Sequence, residues 1–410
     1  MKLVGLLVFA IATIATAAPC PTSPRLVFET VGGSVPQLTW DGARYQLVGG
    51  GGKPLHLTLT TFGFAKDPPA SLAIGPGASA ATATNGKQLA IAYVGTGATV
   101  PLEGLDQDGF IMIDGRRTYA PRKDRPQSYF LIVDGAGKPL APPLALGDQR
   151  VMHISPGVAV AWNPRDKEWG VIWSEFNVLK LGRVSSAGKL LGITPLVVDG
   201  FIDHASRMVW SGSAYAILAR ANGLVLYEID AKGVHATKLP IAADPIEPVI
   251  AWSGSAYAIA YRISKPGVAP APPVRHNGSN APMPPPSRPS PPDSHELWFA
   301  TVANGQVGAP VQIATASDGP FLETPVIAAD GAQLVIAFGR NQAGRGFDDR
   351  LEVVRVDAAG KLAAGYPKRL DPEDVHQGYA SIAGTGCDLA ISYILGDPNG
   401  AVRIGVARAP

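Results

Sequence analysis

Apolar and polar residues along this chain alternate in short runs, and the runs come in pairs. Val249–Ile263 reads VIAWSGSAYAIAYRI, two apolar segments around a Ser-Gly turn, and Met208–Arg220, MVWSGSAYAILAR, says nearly the same about forty residues earlier. Period-two alternation bounded by small polar turn residues predicts a β-hairpin. Tyr257, Ile259 and Tyr261 then share one face of the second strand, with Ala258 and Ala260 on the other. Both faces are apolar, which predicts a sheet covered on both sides.

Aligning the chain on this turn brings out further copies: LTWDGARYQLV (Leu38–Val48), ATNGKQLAIAYV (Ala83–Val94), VAWNPRDKEWGVIW (Val160–Trp173), IAADGAQLVIAF (Ile327–Phe338) and IAGTGCDLAISY (Ile382–Tyr393), seven in all. A second phrase follows, as in FLIVDGAGKPL (Phe130–Leu140), GRVSSAGKLL (Gly182–Leu191), YEIDAKGVHA (Tyr227–Ala236), FATVANGQVGA (Phe299–Ala309) and VRVDAAGKLA (Val354–Ala363), with a weaker version in His56–Leu72. There an Asp or Ser opens a turn and a Gly occupies the position that needs a positive φ. Each unit is two hairpins, or four strands. The uninterrupted spacing of 42 to 55 residues between turns is that of propeller blades. The expected fold is therefore an all-β, seven-bladed β-propeller spanning residues 18–410 as one domain.

Two spacings are longer and contain insertions, one at about 100–127 and one at 264–294 with eleven prolines in 31 residues. The proline-rich stretch reads as a disordered excursion between the second and third strands of a blade. Replacing it with a short Gly-Ser turn is expected to leave the melting temperature nearly unchanged, because such chain buries little apolar surface. A collapse in melting temperature would show that it packs on the domain. At the ends, RLVFETVGG (Arg25–Gly33) is an orphan strand, and the last unit stops at AVRIGVARAP, one strand short. Giving the N-terminal strand to the last blade closes the ring and removes two exposed edges.

The units resemble the degenerate Trp-x-Gly-x-x-Tyr … Asp-x-x-Gly repeats of secreted bacterial β-propeller proteins, over nearly the whole mature chain. The resemblance implies blade geometry only. There is no Trp-Asp ending each blade, and SSAGKLLG (Ser185–Gly192) departs from the sialidase-type Asp box at both its Asp and its Trp.

Composition fits many short strands and turns: 47 Gly, 38 Pro and only 17% charged residues. The formal charge of +2 demands neither nucleic acid nor an anionic membrane. Lys2, the apolar run to about Ile14 and the small residues to Ala17 read as a signal peptide, residues 1–17. No later segment is long and apolar enough to span a membrane. The expected location is outside the cytoplasm: secreted, periplasmic or at the cell surface. The two cysteines, Cys20 and Cys387, are a disulfide candidate there; lipidation of Cys20 is the rival reading.

Residues just before the first strand of a blade rim one mouth of the axial channel. Those positions carry His153, Asp203, His204, Arg207, Glu247, Glu323 and His376, a convergence from which a propeller can build a ligand site. Glu247 and Glu323 could act as an acid–base pair on a glycoside; His153, His204 and His376 could hold a divalent cation. Neither set has a diagnostic spacing, so no cofactor is expected and the metal and catalytic residues stay unassigned. GLDQDGF (Gly104–Phe110) lacks the far acidic residue of a calcium loop and reads as an acidic turn. RRTYAPRKDRP (Arg116–Pro126) holds five basic residues in eleven and reads as a solvated loop, with an anionic polymer as the other possible contact. Trp40, Trp162, Trp210 and Trp252 recur at one position of the unit, which points to packing rather than sugar stacking.

The sequence favours an exported, monomeric, non-catalytic propeller that binds an extracellular protein, glycan or surface polymer. A secreted hydrolase or lyase working on polysaccharide through the axial Glu, Asp and His residues is the alternative.

Overall fold

The computed structural model describes residues 26–408 except 30–35, 52–55, 63–69, 96–109, 114–115, 120–126, 149–157, 176–177, 197, 199–206, 242–244, 266–293, 317–320, 323, 332, 342–349, 371–379, 385–388 and 397–401. The described chain is strand and turn throughout; no helix occurs in it, and so none that could cross a membrane. The chain is a β-propeller built of antiparallel sheets in sequence order.

The blade number differs from expectation. Counted as hydrogen-bonded sheets there are six blades, not seven. The first two repeat units form one seven-stranded sheet, in the order Gln37–Trp40, Tyr45–Gly51, His56–Phe62, Ala70–Thr84, Gln88–Gly95, Gln127–Asp134 and Leu144–Asp148. The cause lies in Ala70–Thr84, a single strand of 15 residues. Its first half pairs with His56–Phe62 and its second half with Gln88–Gly95. The last strand of one unit thus runs into the first strand of the next through Gly75-Pro76-Gly77, a sequence that reads as a break. The two halves still pack on each other, burying Leu57 and Leu59 against Leu89 and Leu131.

The next four sheets follow the repeat: Ala159–Leu196, Val209–Leu239, Pro245–Ala316 and Phe321–Arg369. The last contains Ala380–Ala383, Ala390–Gly396 and Val402–Arg408, with Leu26–Glu29 paired antiparallel to the C-terminal strand, Leu26 opposite Val406. Of the expected ring closure, only this four-residue pairing is seen. A separate hairpin, Phe110–Ile113 with Arg116–Tyr119, falls within the first insertion. Tyr257–Lys265 pairs with Ser294–Ala303, so the proline-rich segment joins the second and third strands of one sheet; residues 266–293 themselves lie outside the described residues.

Packing bears out the two-faced reading of the second strands. Tyr257, Ile259 and Tyr261 are buried against Ala216, Leu218 and Leu226 of the preceding sheet. Ala258 and Ala260 are buried against Ile327, Leu334 and Phe338 of the following one. The Trp-x-Gly-x-x-Tyr turn explains itself in the same way. Trp40 faces Tyr45, Trp162 faces Trp169, Trp210 faces Tyr215 and Trp252 faces Tyr257 across their hairpins. Their ring centroids are 4.6 to 4.9 Å apart, so the tryptophans are spent on packing. In the second phrase Gly137, Gly188 and Gly360 have φ of 83°, 82° and 81°, the left-handed conformation the turn requires.

Burial also makes the domain sensitive to alkali. Desolvation raises the phenol pKa values of Tyr93 and Tyr261 from 10.0 to about 12. The folded state therefore holds these protons more tightly than the unfolded chain, and their contribution is complete below pH 10. It is lost as pH rises from about 10 through 12. Urea unfolding across that interval is expected to show falling stability, with a shallower fall in Tyr261→Phe. An unchanged pH dependence in that variant would contradict the assignment.

Candidate functional site

Each sheet has two ends. The Trp-Tyr turns occupy one, where the first strand hands over to the second. The other end gathers the start of each first strand and the finish of each second strand. Arginines collect there. Arg220 and Arg262 lie toward the finish of the second strands of successive sheets, at the same place in the repeated phrase. Each donates to a backbone carbonyl of the next sheet, Arg220 Nη1 to Pro245 O at 3.5 Å and Arg262 Nη1 to Leu322 O. Arg262 is buried and Arg220 half-buried; such groups need hydrogen-bond partners, and the carbonyls at the next strand's start supply part of them while tying neighbouring sheets together.

Glu247 lies at this end, inside Pro245–Trp252 rather than ahead of it. The ladder slips between Ile246 and Val249, and Glu247 takes φ 50° there. The slip turns its carboxylate to Arg262 Nη2 on the adjacent strand. Arg262 is only 8% exposed, so Glu247 is the counterion of a buried cation. Other cations at this end are matched in the same manner. Arg340 forks onto Glu352 at 2.8 and 3.0 Å, and Lys265 binds Glu296.

Arg207 is different. It stands just before Val209–Trp210, and its Nη2 donates to Ser381 Oγ at 2.8 Å, its Nη1 to Ile382 O at 3.4 Å. Ser381 belongs to the innermost strand of the last sheet, 174 residues away. Two whole sheets, Pro245–Ala316 and Phe321–Arg369, come between the partners in chain order. The side chain therefore reaches across the middle of the propeller. Ser381 is fully buried, and its hydroxyl oxygen also accepts from Leu38 N of the first sheet at 2.9 Å. Three sheets thus meet at one hydroxyl. Burial pulls the Arg207 guanidinium down to about 10, which leaves it charged at neutral pH, yet both acceptors are neutral and no carboxylate binds it among the described residues.

Of the residues singled out by sequence, Arg207 and Glu247 are described, and they have separate partners. His153, Asp203, His204, Glu323 and His376 lie outside the described residues, as do Cys20 and Cys387. Among the described residues no group of three or more His, Cys, Asp or Glu is arranged to hold a metal ion. Sequence reasoning missed Arg220, Arg262 and Ser381. The first two had a signal: both copies of the opening phrase carry Arg five residues after the turn tyrosine. Ser381 had none, since one serine in an apolar strand resembles any other.

No known protein family and no curated protein matches the chain. Solved structures give distant likenesses. One is the β-propeller domain of the Trilobed protease from Pyrococcus furiosus, at 8% identity over 93% of this chain and 94% of that one, TM-score 0.47. Another is TolB from Acinetobacter baumannii, at 13% identity over 84% of this chain and 65% of that one, TM-score 0.38. A third is Trypanosoma rangeli sialidase, at 10% identity over 93% of this chain but only 55% of the sialidase, TM-score 0.45. These likenesses reach no further than the fold, and the functional argument rests on this chain's own residues.

Proposed function

We propose that this protein is an exported β-propeller whose work is binding, with the ligand taken at the arginine-bearing end of the axial region. The observation that carries the reading is Arg207, a partly buried charge held across the middle of the domain by neutral oxygens among the described residues. A structural role alone would be served at lower desolvation cost by an apolar or uncharged side chain. The N-terminal segment supports export, and extracellular proteins, glycans or surface polymers are the partners in reach of such a protein. Binding is favoured over hydrolysis or lysis because Glu247, one half of the acid–base pair suggested by sequence, is engaged by Arg262. A carboxylate committed to a buried guanidinium on the adjacent strand is held in a structural ion pair rather than presented to a substrate.

The test is a paired screen of the purified mature protein. Turnover of polysaccharides is followed by reducing-end release and by ultraviolet absorbance of unsaturated products. Binding to the same polymers, and to extracellular protein fractions, is followed by interferometry. Binding without turnover is the expected result. Turnover that is abolished in Glu247→Gln would overturn it in favour of the enzyme.

A further inference from the structure

We infer that Arg207 is the anchor of an oxyanion site, taking a carboxylate or phosphate group of the ligand in the middle of the propeller. This deepens the axial-binding reading and rests on it. A guanidinium carries five N–H donors in a fixed fork. Two are accounted for, by Ser381 Oγ and Ile382 O. Three remain without a described acceptor. Each of the cations Arg262, Arg340 and Lys265 at the same end has a carboxylate from the adjacent strand. These three cations are neutralised locally, whereas among the described residues Arg207 meets only neutral oxygens.

Geometry makes this a built site rather than a mobile surface arginine. The fork is fixed on one side by two bonds to a strand 174 residues distant, and Ser381 is itself fixed by Leu38 N. Such preorganisation lowers the ordering cost of binding. The N–H groups without an acceptor among the described residues match the paired oxygens of a carboxylate or phosphate, and charge-assisted bonds of this kind are the strong ones. Met208 and Trp210, next in the chain, pack into the core with Ala159 and Ile172, so the backbone that presents Arg207 is also held.

The probes are sodium acetate, succinate and inorganic phosphate, compared with sodium chloride at equal ionic strength. Thermal unfolding and isothermal titration are run on the wild-type protein, Arg207→Lys and Arg207→Gln, each first shown to be folded by circular dichroism. A saturable rise in melting temperature with at least one oxyanion, absent with chloride, is expected for wild type. Affinity should fall at least tenfold in Arg207→Gln, with Arg207→Lys between them; which of acetate, succinate and phosphate binds best separates carboxylate from phosphate. An equal response in Arg207→Gln, or a chloride response as large, would overturn the inference. Phosphate or acetate binding that appears only in Asp203→Asn would also overturn it, since the chain would then supply its own counterion. A neutral oligosaccharide that protects wild type and Arg207→Gln alike would leave axial binding standing and sink the oxyanion claim. Protection by no probe of either kind would count against both.

Discussion

Trp173→Ala is expected to lose about 3–5 kcal/mol of unfolding free energy, the cost of emptying the space of a large aromatic in a packed core. Trp173 is completely buried and packs with Ala90, Ala92, Phe130 and Ile132 of the seven-stranded sheet. On its own sheet, a Cβ added at Gly182 would fall 2.8 Å from the indole, so the backbone lies directly against the ring. Trp162, at the turn position of the same unit, is only partly buried and lies tilted against Trp169. Trp162→Ala should cost clearly less. Urea unfolding at constant m-value measures both, and equal costs would contradict the assignment of the larger packing role to the strand tryptophan.

The second large effect is overpacking at Gly170. A Cβ at this residue would lie 2.5 Å from Tyr215 Cε1 and 2.7 Å from Cζ, on the ring of the next sheet. Gly170 is paired on both sides, with Ala161 and Arg183, and Tyr215 is buried and paired with Ile229. Neither backbone can retreat without breaking its ladder. Gly170→Ala should therefore cost about 1–3 kcal/mol, the range for an extra methyl forced into a full core. Combining it with Tyr215→Ala should cost less than the sum of the single changes, by about 0.5–3 kcal/mol, because the second change removes the clashing ring. Strict additivity would mean that the two sheets part easily at this point.

The repeat made most of this architecture legible. The register of Trp252 with Tyr257, the two covered faces of Tyr257–Ile263 and the left-handed turn at Gly360 all follow from which residue types recur at which offsets. The blade number did not follow, because period-two alternation says where a strand is and not which hydrogen bonds it keeps. Gly75-Pro76-Gly77 has the composition of a turn, yet the strand runs through it and ties two units into one sheet. The site divides similarly. Arg207 was visible as a polar residue at the start of a first strand. Its acceptor was not, because Ser381 comes near only through the packing of sheets far apart in sequence. Glu247 was visible too, but its pairing with Arg262 depends on a one-place slip in a ladder, which leaves no mark on the sequence.

Fold, site and proposed function meet in the bond from Arg207 to Ser381. A double-mutant cycle on Arg207→Gln and Ser381→Ala, read by urea unfolding at neutral pH, tests it most directly. If the guanidinium spans the middle of the domain, the two changes share one interaction. The double variant should then depart from additivity by about 0.5–3 kcal/mol. Additivity within about 0.5 kcal/mol, the behaviour of residues that do not touch, would contradict the account.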